Sequence, residues 1–154
     1  MEQSSARRTI GCIVAAVGAT IAAAGTFLDL AQVTLRLDGR RALTLVGSYV
    51  STNRGKLVVA IAVAVLVGAL VTGFRRVDGV TFAFLAGLAG VAVTAISIYD
   101  RIDVDHFVDA RPGASVGPAT TVCAAGGVLI VVGALATADY WPRAARRARR
   151  QTSP

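Results

Sequence analysis

The stretch LVVAIAVAVLVGALVTGF, residues 57–74, decides how this chain is read: eighteen apolar or small residues without a charge, closed by Arg75-Arg76. A run of that length is a membrane-span candidate, because about 20 apolar residues in a helix cross the hydrocarbon core of a bilayer. Similar runs occupy residues 10–28, 80–99 and 116–138. The expected fold is an all-α membrane protein, a four-transmembrane-helix bundle over residues 1–142 with a basic tail at 143–154. The link Arg75-Arg76-Val77-Asp78-Gly79 is short, which makes the second and third helices antiparallel neighbours, with Asp78 a candidate N-cap.

Composition supports the bilayer as solvent. The 154 residues are 55% hydrophobic and 16% charged, with a mean hydropathy of +0.64, which leaves too little polar cover for a soluble domain. The net charge of +7 resides almost wholly in arginine, Lys56 being the single lysine. In a membrane setting this basicity reads as positive-inside topology and lipid contact, and no nucleic acid partner is expected. Nine arginines lie at the amino terminus, at 75–76 and in the tail, against six arginines and Lys56 in the two opposite segments. Both termini are thus expected in the cytoplasm, the protein being a multi-pass component of the plasma membrane. Arg143, Arg146, Arg147 and Arg150 share one face of any helix past Pro142 and are expected to meet anionic lipid.

The run at 10–28 has an alternative reading as a signal peptide cleaved after Ala22-Ala23-Ala24, but its nineteen residues are of spanning length, which favours retention. A lipid-anchor reading of Cys12 fails because Arg7-Arg8 sits where the apolar core of such a signal belongs. Cys12 and Cys123, the only cysteines, fall near opposite ends of their helices and are not expected to bridge. Gly11, Gly18 and Gly25 recur every seven residues, with Ala15 and Ala22 between them. This small stripe is expected to pack on a second one at Ala60, Ala64, Gly68 and Thr72. The last helix carries a third, at Ala119, Gly126 and Gly133.

The first outer segment alternates Val33, Leu35 and Leu37 with Thr34 and Arg36, turns at Asp38-Gly39, and alternates again through Leu43, Thr44 and Leu45. That is a small β-hairpin at about 33–45. A strict two-residue turn pairs Leu37 with Arg40 and Leu35 with Ala42; a three-residue loop at 38–40, the preferred register, pairs Leu35 with Leu43 and Val33 with Leu45. Ser51-Thr52-Asn53 supplies caps for the next helix.

The second outer segment, 100–114, reads as a loop rich in Asp100, Asp103, Asp105 and Asp109 around the single His106. Asp103, Asp105, His106 and Asp109 are weak candidate metal ligands. A solvated acidic loop, its carboxylates paired with Arg36, Arg40, Arg41, Arg54 or Lys56, is the simpler reading. Ser115 is a candidate N-cap for the last helix, with Pro118 in its first turn. No catalytic residue and no cofactor is expected: His106 has no nucleophile near it in sequence, and no nucleotide fingerprint follows a strand. The runs carry no charge in their interiors, which disfavours an ion pathway.

The long strand-patterned first outer segment, Ser115-Val116-Gly117-Pro118 before a last helix containing Gly126-Gly127, and the Arg-rich tail together resemble small four-helix integral membrane proteins of actinobacteria. Many proteins of that group carry Pro-Trp at the outer end of the first helix, where this chain has Leu28-Asp29. The order of helices and outer strands is also similar to claudin-like proteins, without the paired cysteines of their first outer loop. The resemblance implies topology and no activity. The expected role is a non-enzymatic accessory or scaffold subunit of a cell-envelope complex, meeting an envelope protein partner or another copy of itself. The alternative is a small transport or permeability component.

Overall fold

The computed structural model describes residues 2–37, 40–75, 79–109 and 114–138. The basic tail, the hairpin turn and the link with Asp78 lie outside the described residues. Four helices, α1 (Glu2–Gly25), α2 (Asn53–Arg75), α3 (Gly79–Asp109) and α4 (Ala119–Ala138), are joined by strands β1 (Asp29–Leu37), β2 (Arg40–Ser48) and β3 (Ala114–Val116). Each helix is long and apolar enough to cross a membrane, and only 28 to 44% of each apolar window is buried inside the molecule. The rest, including Ile13, Val67, Leu88 and Leu135, points outward as an apolar belt. A helix bundle that is apolar outside as well as inside is built for lipid.

Small residues set the bundle core. Extra methyl groups built on Gly18 or Gly126 would fall within 2.8 Å of the facing backbone, Gly18 against Gly126 and Gly126 against Ala22 and Gly18. Gly133 meets Ala15 and Gly11 in the same way. The seven-residue stripe of α1 therefore packs on that of α4, with the two helices antiparallel. This corrects the expected α1–α2 stripe pairing: Ala60 and Ala64 are exposed, and Gly68 faces the Phe82 ring of α3. The reason is steric, since matched glycines on both helices let backbones approach closely, and α2 has no such matched row. Gly127 opens a second close face of α4, toward Gly90 and Thr94 of α3. α4 is thus wedged between α1 and α3. α2 packs chiefly on α1, its buried face formed by Val58, Ala62, Val65 and Ala69 at steps of four and three residues, and its contact with α3 is thin despite the short link.

Chain ends of the helices are tied by specific bonds. α1 stops in a tightened turn where Thr26, Phe27 and Leu28 donate their N–H groups to the carbonyls three residues back, at 3.1–3.2 Å. The freed carbonyls of Thr26 and Leu28 accept from Val50 and Tyr49 after the hairpin. Thr52 caps α2 as expected, its Oγ1 accepting from Gly55 N at 2.9 Å. At the opposite end of the bundle Arg8 Nη2 donates to the Thr72 carbonyl at 3.2 Å, placing a cation near the last turn of α2.

The hairpin forms and is longer than expected, and it gains a third strand in the order β2-β1-β3. Val33 pairs with Leu45 and Leu35 with Leu43, the preferred register, but a shift after Leu35 brings Arg36 opposite Arg41 and Leu37 opposite Arg40. Each expected register is thus present in part, with a bulge between them. Ser115 corrects its expected capping role: it lies in β3 opposite Gln32, and α4 starts only at Ala119. Gly117 permits this, because its N–H donates to Leu30 O at 2.9 Å and any side chain there would strike the Asp29 backbone.

The clamp at the sheet end

The 100–114 segment corrects the expected loop. α3 continues unbroken to Asp109, since no glycine or proline intervenes before Pro112 and Arg101 Nε pairs with Asp105 Oδ2 one turn on, at 3.2 Å. Continuation puts Asp100 on the buried face formed by Ala86, Gly90, Val93 and Ser97. A carboxylate 5% exposed is tolerable only when its oxygens are satisfied. Both are: the Tyr49 hydroxyl donates to Oδ2 and Arg54 Nη1 to Oδ1 at 2.5 Å.

Each partner arrives by local structure. The 3-10 turn Tyr49–Ser51 after β2 drops Tyr49 into the bundle, where it is 1% exposed. Gly55 lies so close to the Tyr49 carbonyl that no larger residue fits. Arg54, in the first turn of α2, reaches Asp103 Oδ2 as well, at 3.1 Å, and its guanidinium carbon lies 4.7 Å over the Tyr99 ring. Its side chain is half exposed, so the ion pairs orient more than they stabilise. Burial, and then the hydrogen bond to Asp100, push the Tyr49 phenol above its ordinary range. The four side chains fasten the sheet and α2 to α3. Beside them a cleft of about 350 Å³ opens between Leu30, Asn53 and Val104. Its two carboxylates, Asp100 and Asp103, are both engaged by Arg54.

The candidate metal ligands do not converge. Asp103 turns to Arg54, Asp105 to Arg101, and His106 and Asp109 are exposed on α3; among the described residues no three His, Cys, Asp or Glu groups gather as ligands. Arg54 makes the expected pairing with the acidic segment, while the side chains of Arg36, Arg40 and Arg41 lie outside the described ones. Tyr49 was not legible as a site residue, because its partner Asp100 is 51 residues away; the one signal for Asp100 was its spacing of three from Ser97 and seven from Val93. Cys12 and Cys123 are both buried and unbridged, the latter with its thiol donating to Ala22 O at 3.3 Å. No family model matches the chain, and no curated protein matches it.

Proposed function

We propose that this chain is a non-enzymatic accessory or scaffold subunit of a cell-envelope assembly in the plasma membrane, with both termini cytoplasmic and the hairpin outside as its contact surface. The observation that carries the reading is the anchored sheet: β1 is held between β2 and β3, and its base is fastened by Gly117, Tyr49 and the Asp100–Arg54 pair. A sheet fixed at its base presents β2 as an edge strand in a defined place, which is what recognition by a partner uses. The topology rests on the arginine distribution, and the tail arginines add attraction to anionic lipid on the inner face. The kinship with small actinobacterial four-helix membrane proteins belongs to the same proposal.

Co-purification in mild detergent tests the contact: a stoichiometric partner is expected with the wild type and lost with Leu35→Ser and Leu43→Ser together. Unchanged partners in that variant overturn the role of the hairpin. A cysteine at Thr44, on a cysteine-free background, should react with an impermeant reagent in intact cells and one at Ser153 should not; the reverse overturns the topology.

A further inference from the structure

Two hydroxyls inside the bundle differ from the others. Ser97 Oγ and Thr120 Oγ1, in residues 0% and 1% exposed, have no hydrogen-bond partner among the described residues. Thr20, Thr94 and Thr137 satisfy theirs locally, each donating to the carbonyl four residues back at 2.8–2.9 Å. Thr120 cannot do the same, because it is the second residue of α4 and the residue four before it, Val116, belongs to β3. Ser97 lies in mid-helix and does not bond the Val93 carbonyl. A buried hydroxyl without a partner carries the full cost of its desolvation, so each of the two points to a polar group that completes it.

Both hydroxyls lie at the clamp. Ser97 is three residues from Asp100 on the buried face of α3, a spacing that sets Cβ atoms about 5–6 Å apart. Thr120 reaches the same height from α4. Gly127 lies against Gly90 and Thr94, Gly87 against Ala134, and Arg101 Nη1 donates to Thr121 Oγ1 at 3.4 Å, a register that places Thr120 level with Asp100 and Arg101. The Asp100 carboxylate accepts from Tyr49 on one oxygen and from Arg54 on the other, and with about four lone-pair sites it has room for more. Tyr49 and Asp100 also wall the cleft of about 350 Å³, which brings solvent to this layer from the sheet end. We infer that Ser97, Thr120 and Asp100 form a buried water site beneath the clamp, in which water donates to the carboxylate and completes both hydroxyls. Three polar partners are what a buried water takes. Arg54 already balances the carboxylate, so the site suits a neutral ligand of water size rather than a metal ion.

Thermal unfolding of the full-length protein in detergent tests the site by the sign of the change. Ser97→Ala and the isosteric Thr120→Val each remove one hydroxyl, and each should lower the midpoint by about 2–4 °C if that hydroxyl holds water. Removing an unpartnered hydroxyl has the opposite consequence, a midpoint unchanged or raised, and that result in either variant overturns the inference. Coupling to the clamp is the second arm. On an Asp100→Ala background, which takes away the carboxylate that the water meets, Ser97→Ala should lose at least about half of its own shift; a shift of undiminished size overturns the bridge. Should Asp100→Ala fail to fold, an experimental density map of the wild type decides. Water within about 2.7–3.2 Å of both Ser97 Oγ and an Asp100 oxygen is expected, and Ser97 turned onto the Val93 carbonyl overturns the site.

Discussion

α2 and α4 have spanning windows of similar hydropathy, yet 33% of the α2 window is buried inside the molecule against 44% for α4. α4 is held by close backbone contact on two sides, at Gly126 and Gly133 against α1 and at Gly127 against α3. α2 is held along one side by Val58, Ala62, Val65 and Ala69, and at its sheet end by Thr52, Gly55 and Arg54. The difference teaches that hydrophobicity does not rank helices for burial in a bilayer, where lipid is as apolar as a leucine. Close packing of small residues and a few polar bonds do.

The largest effect is expected from disturbing that close packing. Gly126→Val places side-chain atoms where Ala22 and Gly18 backbone already stand, within 2.5–2.8 Å, and should cost about 3 kcal/mol or more, the upper end of overpacking. Gly73→Val, where an added methyl meets nothing within 4 Å, should change stability by less than about 0.5 kcal/mol. Thermal unfolding in detergent reads both, and equal losses break the contrast between seam and surface.

Next comes the clamp. Asp100→Ala leaves the buried Tyr49 phenol without its acceptor and Arg54 with Asp103 alone, and should cost about 1–3 kcal/mol, toward the low end because Arg54 is half exposed. Tyr49→Phe should cost about 1 kcal/mol. Both should raise protease cleavage at the sheet end before α1 and α4 separate; simultaneous loss of the seam would make the clamp part of one cooperative unit with it.

How much of this was legible can be judged from the same two regions. The glycine stripe of α1 is plain in the sequence, but its partner is not: a seven-residue repeat says that something comes close, and α2 and α4 both offered small residues. The clamp was half legible. Arg54 was one of five cations that the sequence offered to the acidic segment, whereas Asp100 looked like a solvated loop residue because nothing local shows that α3 runs through it.

A pH prediction sharpens the clamp. The fold raises the Tyr49 midpoint above the unfolded value of about 10, so the neutral phenol is the form that the fold favours. Its contribution is complete below pH about 10 and is lost as pH rises through the folded midpoint. The phenolate absorbance of Tyr49, taken as wild type minus Tyr49→Phe, should therefore develop above pH about 10 and coincide with loosening of the sheet. Titration at or below the ordinary phenol midpoint breaks the prediction. The smallest effect belongs to Arg101→Ala, which removes an exposed pair one turn apart and should shift stability by less than about 0.5 kcal/mol.

Four apolar runs, their lengths, the arginines that flank them and the alternation of the hairpin are properties of neighbouring residues, and the sequence alone determined them. Length against bilayer thickness and the period of two in a strand need no knowledge of what lies elsewhere in the chain. Tertiary structure decided the rest. α4 as the wedge between α1 and α3, Ser115 as a strand residue, and the shifted register at Arg36–Arg41 all depend on which distant backbone comes close. So does the clamp: Asp100 is a structural carboxylate because Tyr49, 51 residues back, and Arg54, 46 back, meet it from other elements. A buried charge is stable only with its partners in place, and no single segment contains them.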